Sequence, residues 1–210
     1  MTLGEKLSNF NGSSSESELQ NLFSNLAPAF LYGGYIQVRN EYRIYIRTVE
    51  FYFHSEKHDG IHDPIVYHRD GRDLDEVPYF PLMTLHAHTS GFDITFESES
   101  GRYRASALIR SYEVKTNDGK YLKWDGTQKL FLASSAYQYS TQSTYLYTLL
   151  NGFALDDTIC IKWIDAQRGQ SADLLIKTRQ NVFQSENEYE YRPTKIRCAR
   201  KWSFTRQEQV

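Results

Sequence analysis

All six histidines of this chain fall between positions 54 and 88, and just ahead of them Glu50 interrupts an apolar run, Val49-Glu50-Phe51-Tyr52-Phe53. A carboxylate flanked by Val49 and Phe51 must be paired with a cation, or desolvated with a raised pKa, or both. His54, His58 and His62 recur at every fourth residue, and His86 and His88 alternate onto one strand face. Metal chemistry would use such imidazoles, with zinc favoured. The four-residue spacing needs a helix, however, and Gly60 and Pro64 oppose one, so no metal and no other cofactor is expected. A structural carboxylate tied to Arg110 or Arg47 is the plain alternative for Glu50. A second chemical candidate is the basic tail, where Lys195, Arg197, Arg200, Lys201 and Arg206 stand in a stretch without acid from Tyr191 to Arg206. That tail could contact phosphate, and a solvated edge strand protected from aggregation explains it equally well.

These residues need elements to position them. Ile44 to Phe53 is dense in β-branched and aromatic residues and reads as a strand. Its alternation supports two competing registers, so both faces look covered. The strand breaks into a polar loop closed by Asp63-Pro64, and residues 68–81 read as an exposed acidic excursion. Upstream, residues 1–15 look loose, with Gly, Asn and a serine run. Ser15 and Glu18 form an S-x-x-E capping box opening a helix through Leu19, Leu22, Phe23 and Leu26, with its exit marked by Pro28 and Gly33-Gly34. Tyr35 to Val38 is a first strand, and Asn40-Glu41 a turn. Leu82–Thr89, Gly91–Ser98 and Tyr103–Val114 follow as strands, the last ending in the Thr116–Gly119 turn signal. Helical patterning covers 127–150 as two helices broken near Tyr139-Ser140, with the Tyr137–Tyr147 face packed on the sheet. Further strands are expected at Thr158–Ile164, Asp173–Thr178 and Lys195–Phe204. Strands, then helices, then strands argue α+β with a mostly antiparallel sheet.

The bulk properties narrow the field. At 210 residues the chain suits one domain with an ample core. Aromatic content of 15%, from 16 Tyr, 12 Phe and 3 Trp, suits strands and also suits flat ligands. A formal charge of −2 gives no global field toward nucleic acid, so a nucleic-acid role needs a local basic patch. Cys160 and Cys198 make no disulfide framework, and no 18-residue apolar run or basic-then-apolar N-terminus is present. The expectation is a cytoplasmic protein without a membrane partner.

Read in order, several segments are familiar. IYIRTVEFYFHSEKHDGIHD resembles the strand and loop of the alkyladenine (3-methyladenine) DNA glycosylase family, where Val/Ile-x-x-Glu-x-Tyr leads to a loop histidine. TLHAHTSGFDITFE is similar to that family's Leu-Tyr-x-Tyr…Tyr-Gly strand pair, and ASALIRSYEV to its A-x-L-I-R-A-x-E-P strand. DGTQKLFLA, DLLIKTRQNV and RKWSF resemble its G-P-G-x-L-x-x-A-L, I-x-x-x-R-I-G-I and P-W-R-F segments, so that the pieces span residues 28–206. After the flexible segment 1–15, the resemblance implies one glycosylase-like α+β domain over 16–210, with a barrel-like curved sheet and flanking helices.

The resemblance also implies chemistry. Glu50 falls where the family keeps the base that activates water against the sugar C1′ of a flipped-out nucleotide. Arg110 matches the arginine that holds carboxylate and water. Tyr52 matches a stacking ring, His62 is similar to the pocket histidine, and His88 replaces a second stacking tyrosine. Lys195, Arg197, Arg200 and Lys201 would contact phosphate. DNA is then the partner, and the reaction is monofunctional hydrolysis of a damaged purine's N-glycosidic bond. Ser90 stands where the family has its wedge tyrosine, and Glu97 where it has an asparagine near the phosphate path. These departures imply weak duplex activity and a preference for single strands, or a non-enzymatic descendant that binds a free nucleobase, nucleotide or single strand. A histidine-based metal hydrolase is the third reading.

Overall fold

The computed structural model describes residues 1–38, 42–63, 78–88, 91–122, 155, 161–166, 173–186 and 192–207. The Asn40-Glu41 turn, residues 68–77 of the acidic excursion and the helical pattern of 127–150 lie outside them.

The longer of the described helices, α2 (Glu16–Leu31), starts where its cap residue says it should, since Ser15 Oγ accepts from the Glu18 backbone N–H at 3.4 Å. The Glu18 carboxylate does not complete the box but accepts from Ser13 Oγ instead. Pro28 lies inside this helix, which exits instead through the Tyr32 cap just before Gly33-Gly34. Burial of Ala27, Phe30 and Leu31 holds the last turn despite the missing N–H. Residues 1–15 also differ from the loose segment expected. Thr2 and Glu5 form a full capping box for α1 (Leu3–Ser8), and Leu3, Leu7 and Phe10 are buried in the core. The serine run obscured a short amphipathic helix whose own signals were present.

The described strands are β1 (Gly34–Val38), β2 (Tyr42–Ser55), β3 (Leu85–His88), β4 (Gly91–Thr95), β5 (Tyr103–Thr116), β6 (Tyr121–Leu122), β7 (Ile161–Asp165), β8 (Leu174–Lys177), β9 (Phe183–Ser185), β10 (Pro193–Arg197) and β11 (Ser203–Arg206). With the two described helices they make an α+β fold whose described strand pairs are antiparallel, in a curled half-barrel sheet. The main order is β3-β4-β5-β2-β1-β7. β5 runs along the whole of β2, whereas the other edge of β2 pairs first with β1 and then, at Thr48–Glu50, with β11, which pairs onward to β8. The single strand expected at Lys195–Phe204 is thus split. β10 pairs with β9 in a separate ribbon, and β11 joins the sheet.

The two competing registers of β2 are both used. Ile44 and Ile46 belong to the core before an irregularity between Ile46 and Val49; Val49, Phe51 and Phe53 belong to it afterwards. β5 changes parity at the same place, from Val114 and Tyr112 to Ile109, Ala107 and Ala105. A bulge re-aims the side chains that follow it, and here it turns Glu50, Tyr52 and His54 to the opposite face. The core face is covered by α2, with Phe23 stacked on Phe51 at 4.6 Å and Trp202 edge-on to Phe23 at 5.1 Å.

Candidate functional site

The site lies on the face of β2 and β5 turned away from α2. Cross-strand neighbours share a face, so the register Asp93–Leu108–Glu50–Ser203 across β4, β5, β2 and β11 makes one row. Thr95–Ser106–Tyr52 makes the next, and Arg104–His54 the one after. All of these residues are buried. A buried layer so rich in polar groups must match each group with a partner.

Glu50 is only 2% exposed, so its partners decide what it can do. One carboxylate oxygen accepts the Gln180 backbone N–H at 2.9 Å. The other faces Arg110 Nε at 3.4 Å and accepts the Tyr52 hydroxyl at 3.2 Å. Arg110 Nη2 donates to the Gln180 side-chain oxygen at 2.7 Å, closing a ring of three residues. Arg47, the alternative partner of Glu50, pairs with Glu113 at 2.5 Å instead. Burial, and then the neighbouring Glu50 carboxylate, push the Tyr52 hydroxyl well above the ordinary phenol range, so Tyr52 is a donor at any physiological pH.

A second set holds this ring in place. Arg179 and Asp63 form a fully buried two-point ion pair, Nη2 lying 3.2 Å from Oδ1. Arg179 also donates to the Phe51 carbonyl at 3.3 Å and lies over the Tyr52 ring at 4.6 Å. Burial alone would lower the Arg179 pKa, but Asp63 beside it raises it, so the group is a fixed cation. At the far end Arg104 is buried against the Tyr79 ring at 3.7 Å and bonded to Glu56 at 2.7 Å and Glu97 at 3.4 Å. Glu97, expected to add negative charge near a phosphate path, is instead buried and neutralised there, and it also accepts the Phe80 N–H at 2.7 Å. Arg104 thereby ties the loop after β2 to the segment before β3.

The expected site residues separate into groups. Glu50, Tyr52 and Arg110 meet. His88 ends β3 in register with Gly91, two residues on from half-buried His86. His62 turns elsewhere: its Nε2 donates to the Lys57 carbonyl at 2.9 Å, and its ring lies 5.1 Å from His54. With His58, Cys198 and Arg200 it lines an open cleft of about 460 Å³, and Glu50, Tyr52 and Arg110 are not among that cleft's described walls. Among the described residues no group of three or more His, Cys, Asp or Glu could hold a metal ion. The basic residues also divide. Lys195 and Arg197 on β10, and Lys201, are exposed, whereas Arg200 is engaged by Glu16 at 3.1 Å and by the His62 carbonyl at 3.2 Å.

Sequence reasoning missed Asp63 as a buried anion, and Arg179 and Gln180 altogether. Asp63 read as a turn residue, and its partner is 116 positions away, so no local spacing could join them. Among the described residues no helix is long and apolar enough to cross a membrane. The chain matches no protein-family model, no curated protein and no solved structure.

Proposed function

We propose that the chain is a single-domain DNA glycosylase-like hydrolase, cleaving the N-glycosidic bond of a damaged purine through the polar face of its sheet. The observation that carries this reading is the Glu50 carboxylate held by Arg110, Tyr52 and the Gln180 N–H. A general base needs a fixed orientation and a nearby group that can steady the attacking water, and Arg110 Nη2 is the group in reach. In the reaction Glu50 takes a proton from water as the water oxygen bonds to C1′. The C1′–N bond breaks, and its electron pair leaves with the purine. Tyr52 supplies one stacking surface, His88 on β3 a second, and His62 a wall beyond the loop. Exposed Lys195, Arg197 and Lys201 contact phosphate, with Arg200 joining them when it leaves Glu16. Affinity should therefore fall steeply with salt.

A second reading is supported by a specific observation. Glu50 is 2% exposed, and the Arg179 guanidinium already covers one face of Tyr52. A non-enzymatic protein that binds a free nucleobase, nucleotide or single strand would tolerate such closure. One experiment separates them: release of a methylated or deaminated purine from matched single- and double-stranded oligonucleotides by wild type and Glu50→Gln. Hydrolysis predicts release from single strands, weaker release from duplex, where extrusion costs a few kcal/mol, and loss of both in Glu50→Gln. Absence of release together with binding of the free base supports the binder.

A further inference from the structure

We infer that Gln180 is the gate of the Glu50 site, and that rotation of its side chain, with the turn itself held still, opens the carboxylate to water and ligand. The purpose of this gate rests on the hydrolase reading above; its geometry does not.

Glu50 is buried, but the residue bonded to it from outside is exposed. Gln180 is solvent-facing, and it touches the site at two points. Its backbone N–H holds one Glu50 oxygen at 2.9 Å, and its side-chain oxygen accepts from Arg110 Nη2 at 2.7 Å. These contacts differ in what can break them. The flanking residues are pinned on both sides: the Arg179 side chain is anchored by Asp63 and the Phe51 carbonyl, and the Val182 carbonyl accepts the Cys198 N–H at 3.0 Å. Asn181, between them, has φ 60°, a left-handed conformation that Asn adopts more readily than most residues. Withdrawal of the turn would expose a fully buried ion pair, whereas the Gln180 side chain exchanges one hydrogen bond for water.

The two states therefore have different chemistry. With the side chain in place, Arg110 Nη2 is capped by an amide oxygen. With it rotated out, Glu50 keeps the backbone N–H and stays oriented, and Arg110 Nη2 is left with a free donor beside it. A water taking the amide's place would accept from Arg110 Nη2, on the same guanidinium whose Nε faces Glu50 at 3.4 Å, and would be the nucleophile that general-base hydrolysis requires. Exposed side chains change rotamer in picoseconds to nanoseconds, so the gate is fast relative to any chemical step.

The test reads Glu50 accessibility without depending on catalysis. Purified protein is treated with a water-soluble carbodiimide and glycinamide, and labelling of Glu50 is followed by peptide mass spectrometry against exposed Glu99. Wild type should label slowly at Glu50. Gln180→Ala should speed that labelling by about threefold to tenfold, the worth of one net hydrogen bond, with Glu99 unchanged. Gln180→Asn, one methylene short, should fall between and guards against a folding artefact in the alanine variant. Equal Glu50 labelling in wild type and both variants overturns the gate, as does wild-type labelling as fast as Glu99. The oligonucleotide assay run on the same proteins separates the two proposals. Faster labelling with no base release from any of them keeps the gate and removes the hydrolase, and base release with unchanged labelling does the reverse.

Discussion

The two faces of β2 are made from alternate residues of one strand, yet they are stabilised in opposite ways. Val49, Phe51 and Phe53 enter a core of rings, in which Phe51 alone contacts Phe23, Phe30, Phe96 and Phe204. Glu50, Tyr52 and His54 enter a layer of charge in which Arg179 meets Asp63, Arg110 meets Glu50, and Arg104 meets Glu56 and Glu97. The apolar face draws on area and shape, which are non-directional. The polar face requires each ion to have its own partner, because an orphaned buried charge costs several kcal/mol. The difference bears on function: only the face built from matched ions has groups that can be lent to a ligand.

The largest effects should come from damaging each face in its own currency. Phe51→Ala should cost about 3–5 kcal/mol in denaturant unfolding, with no second substitution on the polar face restoring it. Asp63→Asn should cost about 3–5 kcal/mol because it strands Arg179. Here a second change matters: Asp63→Leu with Arg179→Met should recover most of the loss, since hydrophobic replacement of a buried pair is often neutral. If the double variant is no better than the single one, the pair does more than neutralise itself.

A smaller effect separates the faces by pH. The folded-state pKa of Tyr52 is raised, by burial first and then by Glu50. Above about pH 10, the unfolded phenol value, the unfolded chain releases a proton that the folded one keeps. Stability is thus fully present below pH 10 and declines as pH rises beyond it. Tyr52→Phe should flatten that decline, measured as the denaturation midpoint from pH 8 to 12. Tyr79 and Tyr103, also raised chiefly by burial, should leave part of it. A Phe51 variant should shift the whole curve down without changing its slope.

The smallest effect concerns the lid of the apolar face. Ser15→Ala removes the cap of α2 and should cost about 1 kcal/mol. The Glu50 labelling rate should stay unchanged, because α2 covers the opposite side of the sheet. Altered labelling would mean that the two faces are coupled through β2.

Much of the architecture was legible because its signals are local. Ser15 predicts the start of α2, Thr116–Gly119 gives a real turn with Gly119 at φ 87°, and the strands containing Glu50 and Arg110 were found with their neighbours. The loose reading of residues 1–15 failed although Thr2-x-x-Glu5 and the Leu3, Leu7, Phe10 spacing were there to be weighed. Pro28 failed for another reason: tertiary burial of the last helical turn outweighed a local breaker.

What this sequence determines by itself is which residues are costly to bury and which elements carry them. Glu50 inside an apolar strand had to find a cation, and Arg110 was one of two candidates. Tertiary structure decided between them, since a bulge shared by β2 and β5 sets Arg110 on the Glu50 face and leaves Arg47 to Glu113. It also drew His62 into a different cleft, and brought Arg179 and Gln180 from the far end of the chain onto Tyr52 and Glu50. Alternation and capping act over a few residues and can be read along the chain. Pairing of buried ions acts through space, and no spacing in the sequence encodes which distant turn will arrive.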